Sequence, residues 1–173
     1  MEDFLDILKY ILPSVVVFIT AYYILKAFLE NGTRKKMLEI KLNNQGVITP
    51  LRLQAYERII LLLERISPGS LIIRLAKSDM SAKELQALLV QSIRDEFEHN
   101  LSQQIYISST AWELTRTAKE EMTKMVNLAA LKLNETATAA DLGSMIFEMS
   151  SQQAKLPVSN AIEYIKKEVR QMY

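Results

Sequence analysis

The stretch Tyr10–Leu25 reads YILPSVVVFITAYYIL, sixteen consecutive residues without a charge and most of them apolar, and everything else in the chain is arranged around it. As a helix it would cover roughly 24 Å, and extending it from Ile7 to Leu29 would cover roughly 35 Å, which brackets a hydrocarbon core of about 30 Å. The sequence therefore predicts a transmembrane helix. Lys9 and Lys26 stand where long stems reach the headgroups, and Tyr10, Tyr22 and Tyr23 stand where an interfacial aromatic belt forms. A cleaved signal peptide fits poorly, because the N-terminus opens with Glu2, Asp3 and Asp6 and offers no small-x-small cleavage site. The competing reading is a buried core helix, but core helices are rarely apolar all round. Pro13 falls in the first turns of the span, where a missing amide donor costs least.

Flanking charge sets the expected orientation. Lys9 is the one base before the span, whereas Lys26, Arg34, Lys35, Lys36 and Lys41 follow it. Positive residues stay on the cytoplasmic side, which predicts an external N-terminus, a cytoplasmic C-terminal domain and residence in the cytoplasmic (inner) membrane. The absence of cysteine among 173 residues agrees with a reducing compartment.

The chain has room for one anchor and one further domain. Its formal charge of +1 lacks the basic excess of a nucleic-acid binder. The distribution is uneven: residues 34–77 hold nine Lys or Arg against three Asp or Glu, while residues 78–173 hold ten against thirteen. The basic part lies nearest the span, so Arg34, Lys35 and Lys36 are candidates for contact with anionic lipid, worth about 1 kcal/mol per well-placed base. The other reading is that they serve as a topology signal alone.

Three segments are expected. Residues 1–30 are the anchor, 31–48 a juxtamembrane basic helix and turn, and 49–173 a helical domain. Glu30–Thr33 reads as a break, although a helix bridging Gly32 at a cost of about 1 kcal/mol is equally compatible. Asn43–Gly46 reads as a polar turn, and Thr49-Pro50 as an N-cap with proline at the first helical position. The helix that follows, to about Ile66, has the widest apolar face and is expected to be central to the core. Ser67-Pro68-Gly69 ends it. Ser70–Lys77 is apolar enough for a helix, with its adjacent isoleucines making it the one place where a strand is conceivable. Capping boxes at Ser81/Glu84 and Thr110/Glu113 open two further helices, the first carrying Leu85, Leu89, Ile93, Phe97 and Leu101 at steps of four. Ala139–Ala154 and a segment opened by Pro157 complete the set. The predicted fold class is all-α: an N-terminal transmembrane helix followed by an irregular cytoplasmic bundle of about five helices. No internal repeat and no long heptad run stands out.

Two stretches, TPLRLQAYERIILLLERI (Thr49–Ile66) and RDEFEHNLSQQIYIS (Arg94–Ser108), behind a single N-terminal span, resemble an uncharacterised bacterial family of membrane-anchored helical proteins. The resemblance covers most of the chain and implies topology and a helical fold. It implies no reaction, ligand or functional residue.

Chemistry is scarce. The sole histidine, His99, follows Glu96 at Glu-x-x-His spacing, which puts two metal ligands on one helical face. A di-metal bundle needs two such pairs and further carboxylates, so the site would form only across a dimer; the plainer reading is a solvated acidic turn. Thiol nucleophiles and cysteine zinc sites are excluded, the four glycines are isolated, and no phosphate-binding fingerprint exists. Met122, Met125, Met145 and Met149 are candidates for an adaptable groove, against the commoner role of filling a core. Leu61 and Trp112 are candidates for exposed anchors. The expectation is a non-catalytic protein without cofactors, held in the lipid bilayer and acting on a protein partner as adaptor, assembly factor or accessory subunit of a membrane complex. The alternative is a metal-dependent enzyme with a carboxylate/His site across a dimer. A stator-like stalk is opposed by Gly46, Pro50, Pro68 and Gly69.

Overall fold

The computed structural model describes the backbone from Glu2 to Met172, and side chains other than those of residues 1–12, 14, 33–34, 38–45 and 173. The described residues form six α-helices and one 3-10 turn, with no strand. The helices are α1 (Glu2–Ile66), α2 (Pro68–Leu75), α3 (Ala82–His99), α4 (Ser109–Leu131), α5 (Ala139–Ser151) and α6 (Pro157–Met172), with the 3-10 turn at Leu101–Ile105. Two compact units divide between Thr49 and Pro50.

The first unit, Met1–Thr49, is helical throughout its described part. This corrects the expected juxtamembrane turn at 43–46, and of the two readings of 30–33 it is the continuous helix that forms: α1 carries no interruption at either. Glycine and proline penalise a helix interior by about 1 and 3 kcal/mol. Gly46 and Pro50 are both exposed, so water can reach the Gly46 carbonyl that Pro50 cannot serve as a donor. Good helix formers on either side, from Met37 to Leu42 and from Leu51 to Gln54, carry the helix through.

The second unit is built on the last four turns of α1. Ala55, Tyr56, Ile59, Leu62, Leu63 and Ile66 are all at most 2% exposed, the burial that the wide apolar face implied. Ser67 and Pro68 then start α2, with Ser67 in extended conformation and proline in the first turn, so the adjacent isoleucines fall in a helix and not a strand. Ile72 is buried and Ile73 is left 83% exposed, because on so short a helix only one face meets the core. Gly143 of α5 is buried where α2 comes close: a Cβ there would stand 3.3 Å from Ile72 Cγ2.

Helix α3 ends at His99, so Leu101, expected to extend the apolar stripe, lies in the 3-10 turn and is 41% exposed. The N-cap of α4 is Ser108, whose Oγ accepts from Ala111 N at 3.1 Å, two residues before the expected Thr110. Helices α4 and α6 pack together, α4 also meets α3 and α5, and α3 meets α5.

One internal symmetry was not apparent from sequence. The two segments α2–loop–α3 and α4–loop–α5 are joined through their loops by an antiparallel bridge between Ser81 and Thr138. Ala82 N donates to Ala137 O at 2.9 Å, and Ala139 N donates to Met80 O at 3.0 Å. Each bridge residue is also the cap of a capping box. Ser81 N donates to Glu84 Oε2 at 2.9 Å, and Thr138 N donates to Asp141 Oδ2 at 2.8 Å. The signal was the pair Ser-Ala-Lys-Glu-Leu (81–85) and Thr-Ala-Ala-Asp-Leu (138–142), each ending in a leucine buried in the core.

Candidate functional site

Within α1 the segment Val15–Met37 has a mean hydropathy of 1.3 and none of it is buried, which makes one helix long and apolar enough to cross a membrane. Phe18, Ile24, Leu25, Phe28 and Leu29 are each more than 60% exposed. Leaving such a side chain in water forfeits about 1.5 to 3 kcal/mol apiece. The Thr20 hydroxyl donates back to Val16 O at 2.8 Å, so this polar group inside the apolar run is satisfied within its own helix. Tyr22 and Tyr23 touch edge to face, with ring centroids 5.8 Å apart. Lys26, Lys35 and Lys36 are exposed. The side chains of Lys9, Tyr10 and Arg34 lie outside the described residues.

In the second unit, a buried polar knot joins α1, the start of α4 and α6. Tyr56 Oη donates to Glu168 Oε1 at 3.1 Å and accepts from Ser108 N at 3.2 Å, and Ser108 Oγ donates to Glu168 Oε2 at 2.9 Å. Burial pushes the Tyr56 phenol above its ordinary value of 10.0, with the neighbouring Glu168 charge adding to the rise and the Ser108 amide opposing it. Arg52 Nε donates to Tyr106 O at 3.0 Å beside this knot. In the sequence Glu168 stands among Lys166, Lys167 and Arg170, the pattern of a solvated helix face. No periodicity distinguishes a carboxylate that finds partners on two distant segments from one that faces solvent.

Beside the knot, α1 and α6 border an open apolar groove of about 540 Å³. Leu53, Ile60 and Leu61 line it from α1 and Ile165 and Val169 from α6, with Glu57, Lys166 and Arg170 at the edges. Leu61, a candidate anchor in the sequence, is 60% exposed at this groove. Trp112, the other candidate, is stacked on Phe97 at 5.1 Å and 27°. Lys119 Nζ stands 5.3 Å from the Phe97 ring centroid, so these residues join α3 to α4.

The Glu96 carboxylate meets two guanidinium groups, Arg65 Nε at 2.6 Å and Arg74 Nη1 at 3.3 Å, and ties α3 to α1 and α2. Arg74 also donates to Ser92 Oγ at 3.2 Å. His99 Nδ1 lies 2.7 Å from its own helix's Asp95 carbonyl. The pair therefore shares a helix and a cleft, as its spacing required, but Glu96 is engaged by cations. Among the described residues no three or more His, Cys, Asp or Glu side chains converge as metal ligands. The loops that precede α3 and α5 carry Asp79 and Glu135 as their sole carboxylates, too few for the oxygen cage of a calcium loop of about twelve residues. Of the methionines read as a possible groove, Met122 and Met125 are at most 4% exposed in the core, and Met145 and Met149 are half-buried against it.

Fold and site together define an all-helical protein with a membrane-length apolar helix near its N-terminus. The chain belongs to the family of unknown function DUF7935, whose pattern matches residues 2–172. No curated protein and no solved structure matches it.

Proposed function

We propose that this is a single-pass protein of the cytoplasmic membrane, with its N-terminus outside and its helical domain in the cytoplasm. It acts by binding, as an adaptor, assembly factor or accessory subunit of a membrane complex. The observation that carries the reading is the apolar helix Val15–Met37, exposed at every described side chain, a surface that lipid would cover. Orientation is supported by the bases that follow the apolar run, Lys26, Lys35 and Lys36, with Arg34 and Lys41 from the sequence. Arg34, Lys35 and Lys36 then sit where anionic headgroups attract them. A binding role is supported by the apolar groove between α1 and α6, a surface that another protein chain, a second copy of this one included, would cover.

The metal-enzyme alternative has less support, because a metal at Glu96 would have to displace both Arg65 and Arg74. A stalk-like structural subunit gains some, since α1 passes through Gly46 and Pro50 unbroken. Fractionation of cells tests the anchor: the full chain is expected in membranes after an alkaline carbonate wash, and recovery in the soluble fraction would overturn it. Affinity purification in mild detergent tests the role. A stoichiometric membrane partner is expected, whereas bound iron or manganese without a partner would favour the enzyme.

A further inference from the structure

We propose that the α1/α6 groove is the interface of a two-fold homodimer, each copy seating Leu61 in the groove of the other. Three features of the patch point to a second copy as its occupant. First, the same surface carries both a projecting apolar side chain, Leu61 at 60% exposure, and an open apolar recess lined by Leu53, Ile60 and Val169. A knob and a hole on one patch are what an isologous contact requires, because a two-fold axis sets each against the other.

Second, the charges at the edges are of opposite sign on opposite walls. Glu57 stands on the α1 side, and Lys166 and Arg170 on the α6 side. None of the three has an ion-pair partner among the described residues. A two-fold axis running along the groove brings Glu57 of one copy opposite Lys166 and Arg170 of the other, twice per dimer, whereas an axis across the groove would set like walls together. A partner helix of uniform charge would satisfy one wall and oppose the other.

Third, the floor is rigid. Tyr56 and Ile165 beneath the groove are at most 2% exposed, and the Tyr56–Glu168–Ser108 knot clamps α6 to α1 immediately below it. Two such helix pairs, face to face, make a four-helix contact with an apolar centre and a charged rim. The pairing does not depend on the membrane anchor and is scored in whichever fraction the protein is found.

The chain has no cysteine, so a single introduced one is unique. Full-length Q54C, at the exposed Gln54 on the same helical stripe as Glu57 and Leu61, treated in cells with a short bismaleimide crosslinker is expected to give a product of twice the chain mass, and adding L61D to it is expected to abolish that product. I105C, at the exposed Ile105 in the 3-10 turn, is expected to give several-fold less. Adding E57K alone, or K166E/R170E alone, to Q54C is expected to reduce the dimer. Co-expression of the two differently tagged charge variants is expected to restore it as a mixed dimer. All these side chains are exposed, and unchanged helical circular dichroism confirms the fold. Q54C dimer no greater than that of I105C or unaffected by L61D, a product of other mass showing a different protein in the groove, or no recovery in the mixed pair would each overturn the proposal.

Discussion

Tyr56 shows how much a single side chain decides in this fold. Its hydroxyl serves Ser108 N and Glu168 at once, so Tyr56→Phe leaves a half-buried amide and a carboxylate oxygen without a partner. The expected loss is about 1 to 3 kcal/mol, read as a lower urea midpoint of the full chain in detergent. The raised native value of this phenol also has a sign. The unfolded chain ionises first, so the contribution to stability is fully present below the ordinary value of 10.0 and is lost as pH rises through the higher native value. Wild type is expected to lose stability more steeply than the phenylalanine variant on titration into that alkaline range. Glu84 and Asp141 run the other way. The Ser81 and Thr138 amides hold these carboxyls below their ordinary values, so their contribution is present above those values and lost as pH falls through the native ones. Glu96→Gln is expected to cost about 1 kcal/mol or less, since Arg65 and Arg74 are themselves 54% and 34% exposed.

Among elements, the paired loops carry the clearest expectation. Thr138 caps α5 while the residues beside it bond the loop before α3, so Thr138→Ala is expected to cost about 1 kcal/mol. Hydrogen exchange would locate the effect. Amides of both Ala82 and Ala139 should lose protection, although Ala82 is distant in sequence. Pro157 opens α6 as its position implied. One of the two expected capping boxes is present, Ser81/Glu84; the one expected at Thr110/Glu113 gives way to the Ser108 cap, and the box at Thr138/Asp141 uses an aspartate where the usual pattern has Glu or Gln. Their mutual pairing was not legible, because a bridge between residues 81 and 138 leaves no local periodicity. The expected turn at 43–46 failed for the opposite reason. Local glycine and proline penalties are a few kcal/mol, and an exposed helix with strong formers on both sides absorbs them.

For the whole molecule, Ile59 and Leu63, both at 0% exposure, mark the centre of the second unit. Leu63→Ala is expected to cost about 2 to 5 kcal/mol and to broaden or abolish its cooperative unfolding. Membrane insertion should respond to other residues altogether. Val17→Asp with Ile24→Asp places two carboxylates in the apolar run, at about 3 kcal/mol each near a bilayer centre. The double variant is expected to move from the carbonate-washed membrane to the soluble fraction or to be degraded.

The all-helical class, the apolar helix near the N-terminus and the inward faces of α3 and of the last turns of α1 follow from the residues alone. These rest on periodicity and composition, which act between residues a few positions apart. Long-range packing is what sets Glu96 between two arginines, clamps Glu168 on Tyr56 and Ser108, buries Met122 and Met125, and leaves a groove beside Leu61 between α1 and α6. Each of those depends on side chains distant in sequence meeting at a few ångströms, and a hydrogen bond or apolar contact is lost within an ångström or two of misplacement.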